Sequence, residues 1–317
     1  MKVILPGGSG QVGKLLARHF SARGDEVVIL SRTEAKTPGR WRHWDAESLI
    51  DWTDEIEGAD VIINLAGRSV NCRYTAENRQ LIKDSRVNST RLIGRAIAEA
   101  TNPPRLWLQA STATIYAHRF DAPNDESGII GGREPNAPDT WRFSIEVAKA
   151  WEQALDQSET PATRKIKLRS AMVMSPDRGG IFDTLLQLVR FGLGGTAGDG
   201  RQYISWIHER DFVRAIDWLI VHEEASGAVN LAAPNPLPNR EFMHELRRAY
   251  GMSLGLPATQ WMLEIGAFFM RTETELILKS RRVVPAYLLA HGFKFDFPDW
   301  STAARDLCAQ SKTGRVG

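Results

Sequence analysis

The chain opens MKVILPGGSGQVGKLLARHF: a strand-forming run, a glycine cluster and an amphipathic helix in immediate succession. Gly7, Gly10 and Gly13 satisfy G-x-x-G-x-x-G, while Gly8, Gly10 and Gly13 satisfy G-x-G-x-x-G, so spacing alone does not choose between the two fingerprints. Either serves the same chemistry. A tight turn after a strand needs residues without Cβ, a pyrophosphate needs close backbone approach, and the following helix offers unpaired N–H groups and its positive dipole end. Val12, Leu15, Leu16 and Phe20 give that helix one apolar face, and a second strand begins at Glu26, as a βαβ unit requires. A glycine-rich turn without a ligand is the alternative, and the strand before it and the helix after it argue against that.

The alternation continues along the chain. KVIL, EVVIL, DVIINLA and RLWLQAS are short apolar or β-branched runs separated by helical stretches, which predicts a parallel sheet. Helices are expected through DSRVNSTRLIGRAIAEA and through RFSIEVAKAWEQAL, where Val147, Trp151 and Leu155 mark an apolar stripe. After about residue 165, IKLRSAMVM and GAVNLAA should return to the sheet, with FDTLLQLVRF and ERDFVRAIDWLI as helices between them. From NREFMHELRRAY onward the pattern reads mostly helical, ending at FDFPDW and a short helix, with SKTGRVG as a frayed tail. The expectation is an α/β, doubly wound parallel sheet at 1–165 and a smaller, mostly helical lobe at 166–317, the strands near 165–174 and 227–233 rejoining the main sheet.

A net charge of +2 leaves no electrostatic footprint for nucleic acid. Cys72 and Cys308 match no metal-ligand spacing and read as reduced thiols, so no structural zinc is expected. The first apolar run, Val3 to Leu5, ends at Pro6 and is too short for a signal-peptide core, and IDWLIV is far too short to span a bilayer. A cytoplasmic protein with a small-molecule substrate is expected, with no nucleic-acid or membrane partner and a homodimer left open.

The second strand ends VVILSRT. An NAD site places Asp or Glu near here to accept hydrogen bonds from the ribose 2′-OH. Ser31 and Arg32 stand there instead, and a guanidinium beside a small hydroxyl suits a 2′-phosphate, so NADP(H) is expected over NAD(H). Arg40 and Arg42 could assist or serve as surface charge.

With NLAG at 64 to 67, VNSTRLIG and QASTATIY in that order after the glycine loop, the first half resembles the extended short-chain dehydrogenase/reductases. GLGGTAGDGRQYISWIHERDFVRAI, GAVNLAAPNPLPNREF and RRVVPAYLLAHGFKFDFP narrow the resemblance to the atypical branch called the epimerase family proteins, which carry an extra C-terminal segment. The resemblance implies a Rossmann-type fold and puts the pyrophosphate at Gly7 to Gly13, especially on Ser9, Gln11 and Val12. It places Arg32 toward the adenosine phosphate, Leu65, Ala66 and Gly67 along the adenosine ribose, and Asn88 on the cofactor wall. Thr112, with Ser111 adjacent, matches the hydroxyl residue that polarises a substrate oxygen beside the nicotinamide.

Short-chain dehydrogenases usually relay a proton through a Tyr acidified by a Lys four residues later, because a phenol near pKa ~10 is a poor base at neutral pH. The five tyrosines, Tyr74, Tyr116, Tyr203, Tyr250 and Tyr287, are followed at that distance by Asn78, Phe120, Ile207, Leu254 and His291, so none has the partner. Alignment on AKAWE puts Ser144 and Ala148 at the pair's positions. Lys149 is one step off, a rotation of about 100° on a helix. The atypical branch generally lacks the pair. Tyr116, four residues after Thr112, is the remaining candidate for the nicotinamide pocket, although Ala117 and His118 depart from the family pattern after it. His118, Asp121 and Glu126 lie on the following loop, where an acid or base could sit.

On the substrate side, Trp206 and His208 could frame a ligand, with a hydrogen-bonded structural role the alternative for His208. Arg73 and Arg201 could contact an anionic substrate such as a diphosphate, or be loop charge. Arg281 and Arg282 could anchor the tail, and Trp41, Trp44 and Trp52 read as core. Two functions follow: an NADP(H)-binding oxidoreductase or epimerase-like enzyme, and a non-catalytic NADP(H) sensor acting through a protein partner.

Overall fold

Val3 and Leu5 face one side of the central sheet and Ile4 the other, and the same alternation in Val27, Ile29 against Val28, Leu30 sorts the core into two layers. The computed structural model describes residues 1–135, 137–258 and 278–313. Seven strands form the main sheet: β1 (Lys2–Pro6), β2 (Glu26–Ser31), β3 (Arg40–His43), β4 (Val61–Asn64), β5 (Leu106–Thr112), β6 (Arg164–Ser170) and, after three strands outside it, β10 (Gly227–Leu231). Their order is β10-β6-β5-β4-β1-β2-β3, and every pairing is parallel.

One layer carries α1 (Gln11–Ala22) and α5 (Glu209–Val221), which bury Leu15, Leu16 and Phe20 beside Phe212, Ile216 and Leu219. The other carries α2 (Ala76–Glu99) and α3 (Asp139–Asp156), with Leu92, Ile93, Ile97 and Leu155 around Trp107. Trp44 and Trp52 belong to this second layer, edge to face at 5.8 Å. Each large apolar side chain so buried stabilises the fold by about 1.5–3 kcal/mol. That exceeds the ~1 kcal/mol that Gly13 costs inside α1, so the helix holds despite it.

The chain reverses direction across the sheet between β1 and β4. Crevices at such switch points, outside the carboxyl ends of the strands, are where open α/β sheets bind ligands.

Two sequence expectations change here. The run IKLRSAMVM does not enter the sheet whole: Ala171 breaks it, and β7 (Met172–Met174) pairs instead with β9 (Trp206–His208). β3, whose Arg40 and Arg42 the sequence offered as helpers at the phosphate or as surface charge and whose Trp41 it offered as core, is an edge strand, and edge strands tolerate such polar residues because one side meets solvent.

Outside the main sheet the C-terminal region adds α4 (Ile181–Arg190), a ribbon of β8 (Tyr203–Ile204) with β11 (Leu237–Pro238), α6 (Asn239–Tyr250), α7 (Ala286–Ala290) and α8 (Trp300–Lys312). Trp300 stacks on Phe242 at 4.0 Å and fixes α8 against α6. The helical expectation for 259–277 lies outside the described residues, as does the tail at 314–317. Ser311 and Lys312, expected in the frayed tail, are the last residues of α8. Among the described residues no helix is long and apolar enough to cross a membrane.

Candidate functional site

The glycine loop explains its own composition. Gly7 leaves β1 at φ 75°, and a Cβ there would stand 2.7 Å from the Ala66 backbone. A Cβ on Gly13 would stand 2.4 Å from Gly8 Cα, so α1 can start this close to the loop only with glycine. Gly10 differs: its nearest contact would be Gly7 O at 3.6 Å, so packing does not demand a glycine there. It is the N-cap of α1, no side chain caps the helix, and no acidic residue stands in its first turn. The first N–H groups of the helix therefore remain available to an anion. Gln11 Nε2 is also buried without a hydrogen-bond partner. An uncapped dipole, a glycine that packing does not require and an orphaned buried amide together fit a diphosphate.

From this loop a groove of about 480 Å³ runs across the switch point. Gly7, Ser9, Gly10, Leu65, Ala66 and Gly67 line it, with Ser31 and Arg32 at one end and Asn88 on the α2 side. Gln11, Val12 and Gly13 form the first turn of α1 beside it.

The Ser31 hydroxyl donates to Thr33 O at 2.6 Å and accepts from Trp41 Nε1 at 3.1 Å, so it is occupied within the protein. Arg32 is exposed and has no hydrogen-bond or ion-pair partner among the described residues. Arg40 and Arg42, by contrast, are spent on Glu55: Arg40 donates to both of its oxygens, and Arg42 Nε to Oε1 at 2.6 Å. Burial alone would raise the Glu55 carboxyl, but these bonds outweigh it and hold the group below its ordinary range.

The groove also includes Asp45, Ala46 and Arg68, which sequence reasoning missed. Asp45 Oδ1 accepts from the N–H groups of Glu47 and Ser48 at 2.9 and 3.0 Å, a turn that carries Ala46 at φ 66°. The signal was present: Asp followed three residues later by Ser favours such turns.

A second, adjoining space of about 430 Å³ opens at the carboxyl ends of β5 and β6. Ser111, Thr112 and Thr114 supply hydroxyls, and Val70, Ile82, Phe143, Val147 and Trp151 make an apolar wall with Tyr74. Ser144 and Ala148, at the positions of the usual Tyr and Lys, face this cavity. Lys149 is exposed. Thr112 Oγ1 accepts from Thr114 N at 3.1 Å, which leaves its O–H proton available to an acceptor. Ser111 is held beneath: its Oγ donates to Glu152 Oε1 at 2.6 Å.

Tyr116 is not at the cavity. It is 2% exposed, its hydroxyl donates to Asn230 Oδ1 at 2.8 Å and accepts from Arg169 Nη1 at 2.9 Å. Burial pushes its phenol above the ordinary value despite that cation. The expected catalytic position is therefore corrected to a buried structural one. The loop candidates are likewise occupied. Glu126 accepts from Asn230 N and Tyr287 N at 2.9 and 3.1 Å, His118 Nδ1 from Ser280 N at 2.8 Å, and Asp121 pairs with Arg119 at 2.6 Å.

The expected substrate residues disperse. Trp206 is fully buried 5.0 Å from Trp300, in the core beneath α8. His208 caps α5: its Nδ1 accepts from Arg210 N at 3.1 Å, its Nε2 meets Asp306 at 3.1 Å, and its ring stacks on Phe297 at 3.8 Å. Burial lowers its pKa below the ordinary imidazole value, outweighing the opposing pull of Asp306. Arg201 lies over the Phe120 ring at 5.5 Å, and Arg73 precedes Tyr74 without lining either space. Arg282 does anchor the tail, donating to Phe120 O at 3.1 Å, and Arg281 Nε donates to Thr114 Oγ1 at 3.0 Å at the cavity edge.

Residues 3–232 match the model of the NAD dependent epimerase/dehydratase family, and residues 258–307 match a domain of unknown function, DUF1731. The chain is 31% identical to epimerase family protein SDR39U1 of Bos taurus over 98% of this chain and 100% of that one. It is 32% identical to epimerase family protein ML0860 of Mycobacterium leprae over 92% and 91% of the two chains. The crystal structure of human epimerase family protein SDR39U1 (isoform 2) with NADPH superposes with a TM-score of 0.84 at 28% identity, covering 98% of this chain and 99% of that one. Sheet order, glycine loop and these matches agree: the chain belongs to the NAD dependent epimerase/dehydratase family, among its epimerase family proteins with a DUF1731 segment.

Proposed function

We propose that the protein binds NADP(H) along the switch-point groove and acts as an oxidoreductase or epimerase-like enzyme on a small molecule in the adjoining cavity. Arg32 carries the reading: it is an unpaired guanidinium on the groove, at the strand end where an NAD site would offer a carboxylate. The NADPH bound to human SDR39U1 supports the same cofactor. Gly7 to Gly13 and Gln11 would hold the diphosphate, Arg32 the 2′-phosphate, and Asn88 the adenosine side. The nucleotide supplies or takes up a hydride at its nicotinamide end.

Thr112 then donates its free O–H to a substrate oxygen in the cavity. Ser111 is fixed against Glu152 and shapes the floor. No carboxylate lines the cavity among the described residues, so substrate charge meets no repulsion there.

The test is purified protein, NADPH and a panel of apolar aldehydes, ketones and oxo acids. Nucleotide oxidation that Thr112→Ala abolishes while NADPH binding persists is the expected result. Ser144 and Ala148 in place of Tyr and Lys favour the second reading, a sensor that binds NADP(H) without turnover. Tight binding with no oxidation by any compound would select it.

A further inference from the structure

The cavity contains a cation to which the proposed reaction assigns no task. Arg86, on α2, lines it between Ile82 and Trp151. Its Nη1 donates to the carbonyls of Arg68 and Ile82, both at 3.0 Å, and its Cζ lies 5.1 Å from the Trp151 ring centroid. Those bonds occupy Nη1. The Nε and Nη2 edge has no hydrogen-bond partner among the described residues, and neither atom is sealed from open space.

Gly67 makes room for this placement, since a Cβ there would stand 3.1 Å from Arg86 Cζ. Burial pushes the Arg86 guanidinium down to about 10, the direction expected of a cation whose charge the surrounding protein does not balance. The neighbouring Arg281 is engaged with Thr114 Oγ1 at 3.0 Å and Lys279 O at 3.3 Å.

The free edge has a specific use. Nε and Nη2 together form the fork that grips a carboxylate side-on. The chain shows the same grip elsewhere: Arg169 offers those two atoms to the two oxygens of Glu152, each at 2.8 Å. Around Arg86 the wall is apolar, with Val70, Phe143 and Val147. A phosphate would bring a third oxygen and a second charge beside that apolar wall, and such burial is costly.

We propose that the substrate is an apolar monocarboxylate bearing an oxo or hydroxyl group, its carboxylate forked on Arg86 and its body against Val70, Phe143 and Val147. This rests on reading the cavity as the substrate end of a nucleotide site. It replaces the diphosphate expected from Arg73 and Arg201 with a singly charged, hydrophobic acid.

The test uses the full chain saturated with NADP⁺, titrated calorimetrically with 3-phenylpropanoate, 3-phenylpropanamide and 2-phenylethyl phosphate. The carboxylate is expected to bind about tenfold or more tightly than either other probe, since a hydrogen bond to a charged group is worth about 1.5–3 kcal/mol. Arg86→Met should erase that preference, Arg86→Lys should keep only part of it, and Val70→Trp should weaken all three probes.

Equal or tighter binding of the amide or the phosphate, no binding of any probe, or an unchanged preference in Arg86→Met would overturn the proposal. Loss of NADP⁺ binding in Arg86→Met alone, with the fold intact by circular dichroism, would do so too, because Arg86 would then serve the cofactor. If Arg86→Met does not fold, the three probes on the unaltered protein and on Val70→Trp decide. If the unaltered protein takes up no NADP⁺, the proposed function fails instead, and the rank order of the same probes without nucleotide still decides this inference.

Discussion

Glu152 receives both fork atoms of Arg169 at 2.8 Å each, and both side chains are under 10% exposed. The pair sits under the cavity floor, with Ser111 on one side and Tyr116 on the other. Glu152→Ala should therefore cost about 3–5 kcal/mol, the usual loss when one member of a buried pair leaves the other charge unbalanced. Urea unfolding measures it. A cost below about 1 kcal/mol would mean that Arg169 finds another partner or water.

Tyr116→Phe separates structure from chemistry. It removes a hydroxyl that satisfies both Arg169 Nη1 and Asn230 Oδ1, so stability should fall by about 1–3 kcal/mol. NADPH affinity should stay within about twofold. A large loss of nucleotide binding or of turnover in a folded Tyr116→Phe protein would return Tyr116 to the site.

Gly13→Ala and Gly10→Ala should diverge. The Gly13 Cβ would press on Gly8 Cα at 2.4 Å, which is backbone and cannot yield cheaply, so a destabilisation of about 1–3 kcal/mol is expected together with lost NADPH binding. Gly10→Ala has 3.6 Å of room and should cost about 1 kcal/mol, the N-cap penalty of Ala, while still weakening NADPH through its position on the groove. Thermal unfolding with and without NADPH distinguishes them. Equal stability losses would mean that packing does not set the requirement at Gly13.

Glu55 gives a pH test of its pairing with Arg40 and Arg42. Its folded pKa lies below the unfolded value, so its stabilisation is fully present above the ordinary carboxylate range and is lost as pH falls through the lowered folded value. Unfolding free energies of the unaltered protein and Glu55→Gln should differ at pH 7 and converge on the acid side. A gap that stays constant to low pH would contradict the pairing.

The parts of this molecule written in consecutive residues were legible from sequence. The glycine loop between β1 and α1 is one, because Gly13 answers a contact with Gly8 five residues before it, even though the close approach at Gly7 is made by Ala66 from a distant part of the chain. The missing Tyr and Lys is another, because it is a matter of spacing, and Ser144 and Ala148 do face the cavity. Residues whose environment comes from a distant element were not legible. Trp206 and His208 are claimed by Trp300 and Asp306 on α8, and Tyr116 by Asn230 on β10. Arg86 gave no signal, since an Arg on a long helix looks like surface charge until Trp151 packs on it from α3.

The proposed nucleotide site turns on Arg32. Calorimetry of NADPH and NADH on the purified protein and on Arg32→Ala measures this directly. The expected result is uptake of NADPH by the unaltered protein, a clear preference over NADH, and a drop of about tenfold or more in NADPH affinity alone on Arg32→Ala, as loss of a charge-assisted contact implies. No uptake of either nucleotide, or equal effects of the substitution on both, would contradict it.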